Sequence, residues 1–343
     1  MDNGFIEPRI HPNIGISTLN RSTSEGRDSE IGNHLSKEVI VRIAEEGEFE
    51  NLLGLWTKVF DAPPEVFTCE YLSVQPELRP TFVAEIDGQI VSSVQLFGIP
   101  IRDEDKLPIM IGGLANVSTL PEFRGQGLGS QLVNAAKDEM LRRQYAWGML
   151  LTGKNSFYER LGWRTIYRSF VEARISASTV PDESISVAYY PQPDLVHVRE
   201  IHEHSFKTPL SRIRGDLDWE IRIPERIKSK AVFYGENSYA IVRKVDSSAV
   251  LEEWGMLERT IEGFRELLIA ATRWAVGEGL HTLVISAPLR SAGRQACEGL
   301  FMTMPNVEDT EAMVLPLNHD WTMARILSMF LLPRARFLRM DNF

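Results

Sequence analysis

The chain has 343 residues, more than one ordinary domain needs and about right for two, each able to bury its own core. Hydrophobic residues at 43% and charged residues at 24% are ordinary for a globular protein that folds in water, which excludes wholly disordered and collagen-like classes. The net charge of −10 argues against general nucleic-acid binding and mildly favours cationic substrates such as amines, although many acidic proteins carry such a charge for solubility alone.

No apolar run approaches the roughly 18 residues that suggest a membrane span. Ile326 to Leu332 is short and flanked by Arg325 and Arg334. Met1 to Ile10 carries Asp2, Glu7 and Arg9 where a secretion signal would be apolar, so a cytoplasmic location is expected. Cys69 and Cys297 stand far apart without neighbours at metal-ligand spacing, so both read as ordinary thiols, and neither a disulfide nor a metal site is expected.

Residues 1–37 are polar and lack apolar periodicity, and they read as a flexible tail. Val39 to Ile43 then reads as a strand. Phe49, Leu52, Leu53, Trp56, Val59 and Phe60 share one face of a helix stopped by Asp61-Ala62-Pro63-Pro64, and a shorter helix is expected from Pro64 to Ser73. Phe82 to Ile86 and Ile90 to Leu96 flank Asp87-Gly88, a pair that supplies the positive φ angles of a tight hairpin turn. A strand from Ile111 to Leu120 leads through a Gly-rich turn into a helix bearing Leu128, Leu132, Ala135, Ala136 and Met140 on one face. Trp147 to Thr152 reads as a strand, Ser156 to Leu161 as a short helix, and Trp163 to Ile175 as the last strands of this unit. The order predicts a mixed α/β (α+β) architecture in which a largely antiparallel sheet is flanked by helices.

Around Val180 to Ser184 the chain turns polar, which places the expected boundary between units at 38–180 and 185–318, followed by a C-terminal tail at 319–343. The second unit holds a helix near Val198 to Phe206, strands at Ala231 to Tyr234, Tyr239 to Arg243 and Val250 to Trp254, a helix from Ile261 to Val276, and a strand at Thr282 to Ser286. Strands, long helix and strand echo the first unit without a residue-level repeat, which suggests a diverged copy.

The most informative segment runs from Val117 to Ser130, between a predicted strand and a predicted helix. Amides at a helix N-terminus lack intrahelical partners and point along a favourable dipole, so they suit a pyrophosphate. Gly125, Gly127 and Gly129 let the backbone come close to such a group. A Rossmann fingerprint would open a parallel βαβ unit, whereas this turn follows an antiparallel hairpin, and a Walker loop would need Lys after its last Gly, where Ser130 stands.

Here the sequence resembles the GNAT superfamily of N-acetyltransferases. Arg124-Gly125-Gln126-Gly127-Leu128-Gly129 matches its Arg/Gln-x-x-Gly-x-Gly/Ala pyrophosphate loop, and Asn155 to Trp163, with Phe157-Tyr158, is similar to its second motif. The resemblance implies a site for acetyl-coenzyme A, the acetyl donor. Backbone groups of Val117, Ser118 and Thr119 would pair with the pantetheine arm, and Gly125, Gln126, Gly127, Leu128, Gly129 and Ser130 would hold the pyrophosphate. Arg124 would add charge or simply sit exposed on the loop. Asn155 would reach the coenzyme or cap the helix it opens. Tyr158 would protonate the departing thiolate, since a phenol keeps its proton at neutral pH, or would merely pack beside Phe157 and Trp163. No general base is identifiable: Glu122 reads as a surface turn residue, and Glu252 and Glu253 lie on a strand of the other unit.

A tandem arrangement, with Trp254 to Glu266 lacking any second Gly-rich loop, looks like the enhanced-intracellular-survival (Eis) type of acetyltransferase with a degenerate second GNAT copy. The chain departs from that type because too few residues follow Leu317 for a sterol-carrier-like domain, which puts in doubt a base role for the carboxylate of Phe343. A C-terminal helix and strand packed on the second unit is the expectation there. The implied function is acetyl transfer to an amine of a small molecule or protein, with homo-oligomers not excluded. The alternative is an acetyl-coenzyme A sensor without turnover. A third reading, tandem GNAT-fold aminoacyl-transferases that use charged transfer RNA, fits poorly because they lack the loop and need basic surface.

Overall fold

The computed structural model describes residues 38–176, 180–287 and 289–332. The expected N-terminal tail at 1–37 and the carboxylate of Phe343 lie outside the described residues.

In chain order the elements are β1 (Val39–Ile43), α1 (Phe49–Phe60), α2 (Pro64–Leu72), β2 (Thr81–Ile86), β3 (Gln89–Arg102), β4 (Pro108–Thr119), α3 (Leu128–Arg142), β5 (Trp147–Leu151), α4 (Asn155–Glu159), β6 (Arg164–Thr165) and β7 (Arg168–Arg174). They continue with β8 (Ala188–Tyr189), α5 (Leu195–Ser205), α6 (Ile223–Ile227), β9 (Lys230–Tyr234), β10 (Ser238–Val245), β11 (Ser248–Met256), α7 (Ile261–Gly277), β12 (Thr282–Ile285), α8 (Ser291–Ala296), β13 (Asn306–Asp309), β14 (Ala312–Pro316) and α9 (Met323–Leu331).

Local chemistry sets most of the boundaries. α1 ends where Asp61 enters the left-handed region at φ 50° and returns its N–H to Thr57 O, ahead of Pro63 and Pro64. The β2–β3 turn has Asp87 and Gly88 at φ 51° and 78°, the positive pair that the Asp-Gly sequence predicts. α7 begins at Thr260, whose hydroxyl accepts from Gly263 N at 2.9 Å.

β3 runs on beyond the expected Leu96, past Gly98 and Pro100, and forms a long hairpin with β4. β2 pairs with it only as far as Gln95, so Pro100 stands on an open edge and its missing N–H costs no ladder bond. That edge is covered by the segment 210–213: Ile213 N donates to Pro100 O at 2.8 Å and Arg102 N to Ser211 O at 3.1 Å.

The strands form two seven-stranded mixed sheets. The first has the order β1-β2-β3-β4-β5-β14-β6 and the second β13-β7-β12-β11-β10-β9-β8. Neighbours pair antiparallel except β4 with β5 and β11 with β12, each pair joined through a long helix, α3 or α7. Sheet membership crosses the boundary read near Val180 in both directions: β7 pairs with β12 and β13, while β14 sits between β5 and β6. β14 carries Ala-Met-Val-Leu, short and wholly apolar, and nothing in its own sequence says which sheet it completes.

Helix α3 covers one face of the first sheet with Leu132 and Met140, while α1 brings Trp56 to the other face, where its Nε1 reaches Ser93. Met140 lies over the parallel contact of β4 with β5, where a Cβ on Gly112 would meet its Sδ at 2.6 Å and one on Gly148 would meet Trp163 at 2.8 Å. The opposite face buries Phe97, Ile99 and Trp147 together with Trp321, Ile326 and Met329. The C-terminal helix α9 therefore packs on the first sheet, not on the second unit as expected. The cause is an aromatic anchor, Trp321 against Trp147 at 4.9 Å between ring centroids. The second sheet is covered by α7 and α8 on one side and by α5 and α6 on the other. Cys69 and Cys297 are free thiols, both pushed up to about 11 by burial. Among the described residues no helix is long and apolar enough to cross a membrane, and no group of His, Cys, Asp and Glu is arranged to hold a metal ion.

Candidate active site

The site grows from the place where β4 and β5 part. Their parallel pairing covers only Gly112–Leu114 against Gly148–Leu150, while β4 continues to Thr119 and β5 stops at Leu151. The departure has a local cause. Between Ser93 and Gln95 the register of β3 on β4 shifts, so that Ser93 faces Ser118 and Gln95 faces Ala115, with Asn116 at φ 49° in the resulting bulge. The backbone of Val117, Ser118 and Thr119 thus runs beyond the reach of β5, with its β3 side still paired.

Buried hydroxyls pin this bent end of β4. Trp56 Nε1 donates to Ser93 Oγ at 2.8 Å, and Ser93 Oγ meets Ser118 Oγ at 2.9 Å. Ser92 Oγ donates to Ser118 O at 2.7 Å and meets Thr119 Oγ1 at 2.8 Å. A network satisfied to this degree holds a strand end rigidly. The sequence carried no period or motif for these serines; each takes its role from a partner more than 20 residues away.

From Thr119 the chain passes a short turn at Pro121–Phe123 into the Gly-rich loop. Gly125 and Gly127 adopt φ 78° and 80°, and a Cβ on either would meet nothing within 4 Å. Here glycine is required by the left-handed backbone conformation, with no neighbour that a side chain would strike. Gly127 caps α3 without a side-chain acceptor, so the first amides of the helix, at Leu128, Gly129 and Ser130, have no intrahelical partner. Leu128 is buried and anchors the loop, while Gly125, Gln126 and Gly127 are exposed. Exposed Arg124 turns its Nε back to Thr119 O at 3.1 Å, which ties the rim of the loop to the end of β4.

The second motif meets the first at Gly129. A Cβ there would lie 3.6 Å from Phe157 Cζ and 3.8 Å from Thr119 Oγ1, so the end of β4, the start of α3 and helix α4 converge within the length of one side chain. Tyr158 follows, its ring packed edge-on to Phe157 at 4.8 Å and to Trp163 at 6.3 Å between centroids. Its hydroxyl bonds to no described residue. Burial alone pushes the phenol up to about 12. Asn155 opens α4, but its Nδ2 donates to Thr165 Oγ1 at 2.9 Å and to Thr310 O at 2.8 Å, and the position before it, Lys154, is the helix cap. Asn155 is therefore a strut between α4, β6 and the approach to β14 and not an N-cap.

The carboxylates weighed as bases are occupied elsewhere. Glu122 is exposed beside Lys58 at 3.4 Å, its carboxyl lowered first by its own backbone amide and then by Lys58 and Arg124. Glu252 is gripped by Lys230 and Arg243, each at 2.6 Å. Glu253 is fully buried; burial raises its carboxyl, but Arg214 and His202 outweigh that and hold it far below the usual carboxylate range. Neither lies on the first sheet, where β4 and β5 part.

An uncapped helix N-terminus joined to an uncovered strand edge can receive a polyanion that carries an extended amide-bearing arm. A buried, protonated phenol at the junction can donate a proton there. These residues fit acetyl-coenzyme A.

The family model of the acetyltransferase (GNAT) domain matches residues 40–166. Solved structures similar to the chain include a GCN5-related N-acetyltransferase from Kribbella flavida, at TM-score 0.62 and 14% identity over 82% of this chain and 72% of that one. A protein of Enterococcus faecalis aligns at TM-score 0.62 and 15% identity over 81% and 72%. Eis1 from Mycobacterium abscessus aligns at TM-score 0.57 and 13% identity over 82% and 74%. At these identities the likeness is one of fold. No curated protein sequence matches the chain. Residues 40–166, which contain the parted strands, the Gly-rich loop and Tyr158, are thus the part of the chain that matches the acetyltransferase (GNAT) domain.

Proposed function

We propose that the chain is an N-acetyltransferase that moves an acetyl group from acetyl-coenzyme A to an amine of a small molecule or protein. The observation that carries this reading is the meeting of β4, α3 and α4 at Gly129, beside a protonated Tyr158. The amides of residues 125–130 hold the pyrophosphate, assisted by Arg124. The backbone of Val117, Ser118 and Thr119 takes the pantetheine arm as an added strand, and Asn155 keeps only its Oδ1 for that arm because its nitrogen is spent on Thr165 and Thr310. The coenzyme supplies an acyl carbon activated as a thioester. Tyr158 gives its proton to the departing sulfur; a phenol at about 12 is neutral at any physiological pH.

The remaining residues form a tandem partner. β9, β10, β11, α7 and β12 follow the connection of β2, β3, β4, α3 and β5, and Trp254 to Glu266 has no Gly-rich anion loop. This supports units at 38–180 and 185–318 that share strands, the second a degenerate GNAT copy of the Eis-like type that stiffens the first and walls the acceptor pocket. The acidic chain is read as cytoplasmic, without nucleic-acid or membrane partners. Thiol release on mixing acetyl-coenzyme A with a panel of amines tests the proposal. Binding of the coenzyme without thiol release from any amine would favour the sensor reading.

A further inference from the structure

We infer that Asn116 and Gln95 form an amide pair that holds the acceptor amine, an assignment that rests on the acetyl-transfer reading above. Asn116 stands two residues past Leu114, the last β4 residue paired with β5, and so at the apex of the gap. It occupies the left-handed region at φ 49°, which asparagine tolerates better than most side chains. Half-buried, it gives its Nδ2 to Gln95 Oε1 at 2.6 Å, and its Oδ1 meets no described residue. Gln95 is fully buried, and its Nε2 has no partner among the described residues.

An unpaired buried amide nitrogen is costly, and such a cost persists where it sets up something else. Here it sets the direction of Asn116. With its nitrogen drawn back to Gln95, the asparagine can offer only its oxygen forward. Val94 and Leu96 share the face of Gly98, whose partner Gly112 lies under Met140 of α3, so alternation points Gln95 to the other face, where Trp56 of α1 reaches Ser93. The pair thus reaches the gap from the side opposite the α3 helix.

An amine nucleophile has to aim its lone pair at the thioester carbon, with an N–H bond held away from it. Asn116 Oδ1 accepts that N–H. As the N–C bond forms and the C–S bond breaks, the sulfur takes the proton of Tyr158, and the proton shed by the acylated nitrogen passes through solvent to restore the phenol. The products are an amide and a thiol, with no other reactant. An amide oxygen orients the amine but does not deprotonate it, so the acceptor has to arrive as its free base. Gln95 is a positioning residue acting through Asn116.

The test uses the full chain, with n-butylamine, 2-phenylethylamine and an N-terminally blocked lysine peptide as acceptors. Calorimetry with acetyl-coenzyme A comes first. Absence of binding, or binding with none of these amines acetylated, removes the acetyl-transfer reading and this assignment with it. Where turnover is present, kcat/KM for each amine is followed from pH 6 to 10 by thiol release, and its midpoint should move with the amine's own pKa. Asn116→Gly keeps the left-handed backbone and deletes the amide. It should lower kcat/KM for the amine at least tenfold and leave coenzyme affinity within twofold. Asn116→Asp restores an oxygen acceptor and gives Gln95 Nε2 a partner, so it should recover part of that loss and add an acidic limb to the profile. Gln95→Met should cost several-fold alone and nothing further in the Asn116→Gly background. The assignment is overturned by Asn116→Gly within twofold of wild type, by an Asp variant as poor as the Gly variant, by one midpoint common to all amines, or by additive losses at 95 and 116.

Discussion

Replacing Tyr158 by Phe separates chemistry from packing, because the two parts of this side chain have separate surroundings. The ring is held against Phe157 and Trp163, and Phe keeps those contacts. The hydroxyl bonds to no described residue, so its removal breaks nothing in the free protein, and stability at pH 8 should change by less than about 0.5 kcal/mol. Turnover should fall at least tenfold, toward the hundredfold or more that a positioned proton donor contributes, with coenzyme affinity unchanged. A second signature lies at high pH. A phenol raised from 10 to about 12 holds its proton in the folded state where the unfolded chain gives it up. The corresponding stability, about 3 kcal/mol for two pKa units, is fully present below pH 10 and is lost as pH rises toward 12. Urea unfolding at pH 8 and pH 11.5 should therefore show a drop in wild type that is smaller in Tyr158→Phe by about 2 kcal/mol, the part of that loss reached by pH 11.5. Thiol-release kinetics on the same samples complete the assay. Unchanged turnover in a fully folded variant would refute the proton-donor role, and an equal alkaline drop in both proteins would refute the assigned burial.

Gly127→Ala forces a side chain into φ 80° in open space, so it should destabilise by only about 1–2 kcal/mol while weakening acetyl-coenzyme A binding severalfold by calorimetry. Gly148→Ala drives a methyl to 2.8 Å from fully buried Trp163; unfolding should show a loss of about 1–3 kcal/mol, and a neutral result would mean that Trp163 repacks freely. Glu253→Gln removes the buried carboxylate that Arg214 grips and should cost about 3–5 kcal/mol at pH 7. Because the native carboxyl lies below its unfolded range, the wild-type contribution is present above that range and lost as pH falls through it. The gap between the two proteins should narrow from pH 7 to pH 4, and a constant gap would show that Glu253 does not titrate this way.

Elements whose signals are local were legible in the residues. The β2–β3 hairpin follows from Asp87-Gly88, the end of α1 from Asp61 and the prolines after it, and the left-handed turn into α3 from glycines placed between a strand and a helix. Less legible were elements whose partners are distant. The extension of β3 past Pro100 depends on the edge that 210–213 covers, and β14 is an apolar run whose sheet no local pattern names. Asn155 looked like a possible helix cap, and is a strut instead because Thr310 comes up beside it.

By itself the sequence determined the local features of the first unit: a Gly-rich loop between a strand and a helix, a phenol three residues after Asn155, and an acidic chain without metal-ligand spacing. Such features are written in neighbouring residues and in backbone propensities that act over a turn or two. Tertiary structure alone decided that β7 and β14 cross between the sheets, that α9 packs on the first sheet, and that Asn116 faces the gap with Gln95 behind it. Each of these depends on which surfaces are buried against each other over long stretches of chain, and burial is a property of the assembled fold that no short window of residues encodes.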